Sequence, residues 1–384
     1  MTLPIARLFG IEIRVSAAWA ILLALITVIG AEQASDAAPL LAAPVQWAMG
    51  LAVAILILVS VVAHELAHAL VGRRRGVAVS SLNLGFIGGL APLAIQAQRP
   101  DGELAIAAAG PVLSLAVGAA LAAVGLVLDT AVPATSPIGA GIAVVGVLNL
   151  ILGGLSIVPA MPLDGGRIVR ALAWWRTGDR DAAGRITARV GRMIGWTIIG
   201  VGIALLFAGD YLTEGLIAVA LGWLLSTGAR TVERRLALEQ LLRGVSVGDA
   251  MERDVPFVGP HLTVDTFAGR FDGPDAVAAL PVVEDDRVVG IVGRRRLVRL
   301  GRGKYGDTRV DEVMAVPPEA PVLAPSDALW DAVEALNEGA LDGLAVAVDG
   351  RLAGLVTRDG VTASIRALAA RQAGAAAGVI GGRR

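Results

Sequence analysis

Val61-Val-Ala-His64-Glu65-Leu-Ala-His68-Ala-Leu70 decides how the first half of this chain reads. It is an H-E-x-x-H arrangement inside an apolar run that begins near Val45 and ends at Val71. Two histidines at i and i+4 share one helix face and can chelate a single Zn2+, with the intervening glutamate placed as general base. Such a motif also arises by chance, or as a satisfied pair of core histidines. The chain has three histidines, however, and two of them flank this glutamate. Ionisable side chains in an apolar segment are costly and are kept for function, so the setting favours a metal site.

The surroundings of the motif are those of a membrane protein. Of 384 residues 55% are hydrophobic, and the mean hydropathy is +0.70; an ordinary soluble domain is less apolar. Six segments are long enough, or nearly so, to cross a bilayer, which takes roughly 20 residues: 16–34, 45–72, 102–128, 138–160, 193–208 and 211–228. Arg7 and Arg14 precede the first, Arg73–Arg75 follow the second, seven arginines from Arg167 to Arg192 follow the fourth, and Arg230, Arg234 and Arg235 follow the sixth. The intervening loops carry no basic residue, so the positive-inside rule places both termini in the cytoplasm. The first span lacks a small-residue cleavage site and is read as retained. His68 then lies roughly 10 Å inside the cytoplasmic surface at the helical rise per residue, shallow enough for water to reach. A net charge of −1 without basic tracts gives no sign of nucleic-acid binding. The absence of cysteine excludes thiolate ligands, leaving histidine and carboxylate to hold a zinc ion.

Catalytic zinc takes three protein ligands and leaves one position open. His261 lies in the soluble half and reads as a surface loop residue. Asp164, in Pro159-Ala-Met-Pro-Leu-Asp-Gly-Gly-Arg167, stands at the end of the fourth span, at the depth of the two histidines. The prolines stop the helix and the glycines let the chain turn tightly. Asp164 is either the third ligand or a cap on the following helix.

The pairing of His64-Glu-Leu-Ala-His68 with Pro-Leu-Asp164-Gly-Gly about a hundred residues later resembles the site-2 protease family of intramembrane zinc metalloproteases. Ala109-Gly110-Pro111 with Ser114 fits the same pattern. The resemblance covers roughly residues 10–225. It implies one zinc ion held by His64, His68 and Asp164, with Glu65 as base. It also implies hydrolysis of a single-span or hairpin membrane-protein substrate in regulated intramembrane proteolysis. One departure stands out: the family reads Phe-Asn-Leu-Leu-Pro before its aspartate motif, and here Ser156 of Leu155-Ser-Ile-Val-Pro159 replaces the Asn credited with oxyanion stabilisation. A hydroxyl still donates one hydrogen bond. Asn149, two turns upstream, either adds polar support at the site or bonds a neighbouring helix.

A substrate helix must become extended to be cut. Residues 77–98 alternate roughly with period two around Gly85, Gly88, Gly89 and Pro92 and read as a hairpin beside the membrane. Its edge either captures an unwound substrate by strand addition, through Gly85, Phe86, Gly88 and Gly89, or merely connects two spans. The resemblance favours substrate binding.

The second half repeats itself. Val247-Gly-Asp-Ala-Met251 recurs as Val310-Asp-Glu-Val-Met314, and the stretch from Val282 to Val292 recurs from Val346 to Val356. This resembles a tandem pair of CBS domains, which implies dimerisation and an adenine-nucleotide ligand. Thr357-Arg358-Asp359 matches the ribose-and-phosphate pattern, Thr357 and Asp359 being the nucleotide residues; Arg294-Arg-Arg296 in the first copy lacks the Asp. The expected architecture is an α-helical polytopic membrane domain of six spans plus a soluble α/β tandem CBS module. The expected divisions are 1–228 for the metalloprotease domain, 229–244 for a linker helix, 245–305 and 306–371 for the CBS copies, and 372–384 for a disordered tail. Two other readings remain open: a CBS-gated transporter with the histidines on an ion path, and an inactive relative that binds membrane proteins. Neither explains Glu65 and all three ligands together, and no inverted repeat of spans supports the transporter.

Overall fold

The computed structural model describes residues 2–77, 79, 81–84, 97–131, 136–272, 276–338 and 341–381. The chain forms two compact units, Met1–Leu236 and Ala237–Arg384.

The first unit begins with strands β1 (Thr2–Leu8) and β2 (Ile11–Ser16). Helices α1 (Ala18–Ala37) and α2 (Ala43–Arg74), strand β3 (Ser81–Leu84), and helices α3 (Pro100–Ala131), α4 (Ser136–Ser156), α5 (Asp164–Thr177), α6 (Arg180–Phe207) and α7 (Leu212–Leu242) follow. All of these helices except α5 are long and apolar enough to cross a membrane, which makes six spans. Lipid tails give apolar helices no reason to associate, so close backbone approach at small residues does the work. A Cβ on Gly30 of α1 would come within 2.9 Å of Gly50 Cα on α2, one on Gly118 of α3 within 2.9 Å of Gly146 O on α4, and one on Gly195 of α6 within 2.8 Å of Gly222 O on α7.

Three boundaries differ from the sequence reading. Helix α4 stops at Ser156 rather than 160, because Pro159 and Pro162 have no N–H to continue the ladder. Helix α6 starts at Arg180, well before 193. Asp179 caps it, accepting from the Asp181 and Ala182 N–H groups at 2.8 and 3.1 Å. Its early turns bury Ala183, Gly184, Thr187, Ala188 and Gly191 on one face while the arginines take the other, which is why hydropathy alone missed them. The expected linker 229–244 is no separate element: α7 runs unbroken to Leu242.

The N-terminal sheet was not expected either. β1 pairs antiparallel with β2, and β2 pairs parallel with β3, Ile13 lying opposite Leu82. Alternate residues of β2 face the metal-motif helix: Ile11 packs with Leu66, Ala69 and Leu82, and Ile13 with Trp19 and Leu84 against Leu58, Val61 and Val62. Of the expected 77–98 hairpin, Ser81–Leu84 is a strand; Gly85, Phe86, Gly88 and Gly89 lie outside the described residues.

The second unit carries the repeat as structure. In the first copy, α8 (Val247–Ala250) and α9 (Asp265–Ala268) precede the hairpin β4 (Ala279–Glu284) and β5 (Arg287–Gly293), then α10 (Arg294–Leu300). In the second, α11 (Val310–Val313) and α12 (Leu329–Glu338) precede β6 (Gly343–Val348) and β7 (Arg351–Thr357), then α13 (Arg358–Gly381). Both hairpins are antiparallel, with a bulge at matching places, Val282/Val283 and Val346/Ala347. Leu280 opposite Val292 and Leu344 opposite Val356 are buried at the centre. The stretch from residue 372, read as a disordered tail, is helical as far as Gly381; its alanines favour helix over coil.

Candidate metal centre

Helix α2 carries His64 and His68 one turn apart, 4% and 5% exposed, in the stretch where it also buries Leu66, Ala69 and Gly72. The turn after α4 folds back so that α5 opens with Asp164. Gly165 and Gly166 are needed here for room rather than for turning. Both lie within α5, and a Cβ on Gly166 would sit 2.7 Å from Met161 N, with Gly165 tighter still against Ile157 and Val158.

Three ligand atoms meet. His64 Nε2 lies 3.2 Å from Asp164 Oδ2, His68 Nε2 lies 3.3 Å from the same oxygen, and the two Nε2 atoms are 3.2 Å apart. Four-coordinate zinc with bonds of about 2.0–2.1 Å has ligand–ligand edges of about 3.3–3.4 Å. The triangle is thus already the face of a zinc tetrahedron, and the N,N,O donor set suits that ion. Among the described residues these three form the one cluster able to hold a metal.

Helix α3 supplies no ligand but shapes the centre through one stripe. The His68 Nδ1–H donates to the Ile106 carbonyl at 2.7 Å, leaving the Nε2 lone pair for the ion. His64 Nδ1 bonds Ser114 Oγ at 2.9 Å. Between them Gly110 leaves open space: a Cβ there would fall 2.6 Å from His64 Nε2 and closer still to His68 Nε2, where an ion has to sit. Glu65, next to His64 in α2, is half-buried.

Asn149 is buried, and its Nδ2 donates to Ser60 Oγ on α2 at 2.9 Å and to the Val145 carbonyl at 2.9 Å; of its two expected roles, helix-to-helix bonding is the one observed. Ser156 is buried as the last residue of α4. Ile106 and Glu103 were missed altogether, and Gly110 and Ser114 were noted only as part of a pattern.

In the CBS pair Thr357 is buried and its Oγ1 accepts from the Gly360 N–H at 3.0 Å, while Asp359 is exposed at the start of α13. A cleft between the two copies is lined by Gly293, Arg295 and Arg296 of the first and by Asp342 and Gly343 of the second. There Asp342 takes the Arg295 N–H at 2.9 Å and its Nε at 3.1 Å. His261 is exposed in the second unit beside Glu284, 3.1 Å away.

A His–His–Asp triangle seated among apolar spanning helices, followed along the chain by a CBS pair, defines a multi-pass membrane metallopeptidase. Residues 52–198 match Peptidase family M50, and residues 247–303 and 310–366 each match the CBS domain. The chain is 35% identical over 294 residues to a Mycobacterium tuberculosis protein provisionally named zinc metalloprotease Rip3, covering 76% of this chain and 74% of that one. A similarly named Synechocystis zinc metalloprotease is 27% identical and covered over 96% of its length, against 95% of this chain. The structure of the site-2 protease from Methanocaldococcus jannaschii is 27% identical, with 60% of this chain and 94% of that one covered at a TM-score of 0.39. The chain belongs to peptidase family M50.

Proposed function

We propose that this protein is a zinc-dependent intramembrane endopeptidase that cuts single-span or hairpin membrane proteins. The observation that carries the reading is the 3.2–3.3 Å triangle of His64 Nε2, His68 Nε2 and Asp164 Oδ2. His64, His68 and Asp164 would hold a zinc ion there, which would supply a Lewis acid and an activated water. Glu65, flanked by the two ligands, takes the water proton and returns it to the leaving amine. Ser156 donates its hydroxyl to the oxyanion in place of the family's Asn. The substrate becomes extended against Gly85, Phe86, Gly88 and Gly89 before cleavage.

Both termini and the CBS pair are cytoplasmic, on the arginine distribution. The CBS pair regulates the peptidase, binding an adenine nucleotide through Thr357 and Asp359 and pairing with a second copy. Titration of AMP and ATP into the full chain, with Asp359→Ala as control, tests the ligand: equal binding by both proteins overturns that assignment.

The decisive experiment measures zinc content and cleavage of a model membrane substrate for wild type and Glu65→Gln. Zinc is retained in the variant and cleavage is lost; continued cleavage overturns the mechanism, and a wild type without zinc favours the ion-path reading. Ser156→Asn leaves activity equal or higher.

A further inference from the structure

Four α3 positions, Glu103, Ile106, Gly110 and Ser114, recur at spacings of three, four and four, so they share one helix face. Three have been accounted for: Ile106 orients His68, Ser114 orients His64, and Gly110 leaves room for the ion. Glu103 is the most buried charged side chain among the described residues, 1% exposed. Its Oε1 receives Arg167 Nε at 3.0 Å and Arg170 Nη2 at 2.6 Å. Its Oε2 receives the Ala97 N–H at 3.3 Å. Arg167 and Arg170 are 7% and 9% exposed and stand three and six residues after Asp164 on α5.

A carboxylate in so dry a place is kept only where its partners are fixed. Here the partners belong to the helix that opens with the third ligand. Among the described residues Asp164 is held differently from the two histidines: its bonded neighbours are the ligand nitrogens themselves. The Glu103–Arg167–Arg170 cluster ties α5 to α3 at this end.

We propose that Glu103 is the positioning residue for Asp164: through Arg167 and Arg170 it clamps the first two turns of α5 onto α3 and so sets where the carboxylate stands relative to the imidazoles. Helix α3 thereby aligns all three ligands from one face, two by direct bonds and the third through an ion cluster. The Ala97 bond ties the chain just after residues 85–96 to the same carboxylate. The inference rests on the reading of Asp164 as a zinc ligand.

The test uses the full chain in detergent, stripped of metal and titrated with Zn2+ against a chromophoric chelator, and with Co2+ for its visible spectrum. Wild type, Asp164→Asn, Glu103→Gln and Glu103→Asp are compared. Glu103→Gln is expected to weaken zinc binding by about ten- to a hundredfold, as loss of an outer partner of a metal ligand does. Its Co2+ spectrum shifts towards that of Asp164→Asn, and Glu103→Asp, which keeps the charge, recovers part of both. Folded Glu103→Gln with wild-type zinc affinity and spectrum overturns the proposal. If Glu103→Gln does not fold, Glu103→Asp decides: a wild-type spectrum and affinity in that shortened variant overturns it, and an intermediate shift supports it. If Asp164→Asn itself leaves affinity and spectrum unchanged, the ligand assignment fails, and the clamp with it for that separate reason.

Discussion

Among the described residues eleven polar or charged side chains are buried, and ten of them lie in the membrane unit. Six of those ten, His64, His68, Glu103, Ser114, Arg167 and Arg170, belong to the centre or to the bonds that orient it. In the CBS pair Thr357 is the single buried polar side chain, and its hydroxyl serves its own backbone. The CBS unit hides aliphatic residues of its hairpins and keeps its charges outside. The membrane unit does the reverse: large apolar residues such as Ile21, Ile55, Val112 and Trp223 face outwards, and the interior holds glycines and a polar cluster. Lipid replaces water as the solvent, so the costly groups gather where they bond one another. Buried polarity therefore marks function in one unit, whereas apolar burial in the other marks stability.

The sharpest way to break this contrast is Gly110→Ala. The added methyl falls where the ion has to sit, so zinc affinity should drop by about a thousandfold or more, beyond the usual loss from an outer-shell change, while the unit stays folded. Zinc content after dialysis and helical circular dichroism check both halves of that statement. Retained zinc would mean that the centre opens away from α3.

Leu344→Ala probes the other half. Leu344 is fully buried opposite Val356, and its truncation should cost the CBS unit about 2–5 kcal/mol. Calorimetry of the full chain reads the lowered transition, and zinc affinity should not change. A parallel fall in zinc binding would break the separation of roles.

The same contrast explains what the sequence made legible. The motif of His64, Glu65 and His68 and the Asp164 loop were readable because ionisable residues stand out in apolar runs. The repeat of Val282–Val292 as Val346–Val356 was readable because apolar alternation repeats. The stripe on α3 was not, for three reasons. Gly110 acts by lacking a side chain, Ile106 acts through its carbonyl, and Glu103 sits at a span edge where an acidic residue passes for the water-facing first turn. Its signal was the pair of arginines three apart just after Asp164. The strand at Ile11–Ser16 did show period two, with Ile11, Ile13 and Val15 alternating with Glu12, Arg14 and Ser16, but its arginine was read for orientation alone.

A smaller effect separates the two CBS copies. Ser246 caps α8, and Asp249 accepts from the Ser246 N–H at 2.9 Å and from its hydroxyl at 2.7 Å. The second copy has Arg309 at the cap, where Glu312 accepts from the Arg309 N–H at 3.3 Å. Ser246→Ala should cost about 1 kcal/mol, and the matching Arg309→Ala less. The Ser246 hydroxyl and N–H, with help from Arg253, hold the Asp249 carboxyl below its ordinary range. A depressed folded-state pKa contributes stability above the unfolded value near 3.9, lost as pH falls through the folded one. An acid titration should show this contribution in wild type and lose most of it in Ser246→Ala.

Asn149 gives the mildest test and bears on where the polar cluster ends. Its bonds to Ser60 and Val145 make it a tie between α2 and α4 one turn before His64. Hydrogen bonds between membrane helices contribute about 0.6 kcal/mol on average, so Asn149→Ala should lower stability by about that much and leave kcat within about twofold. An oxyanion donor behaves differently: its loss costs about a hundredfold or more in kcat with little change in stability. The ratio of the two effects in one variant therefore decides whether Asn149 binds the helices together or belongs with Ser156 at the reacting carbonyl.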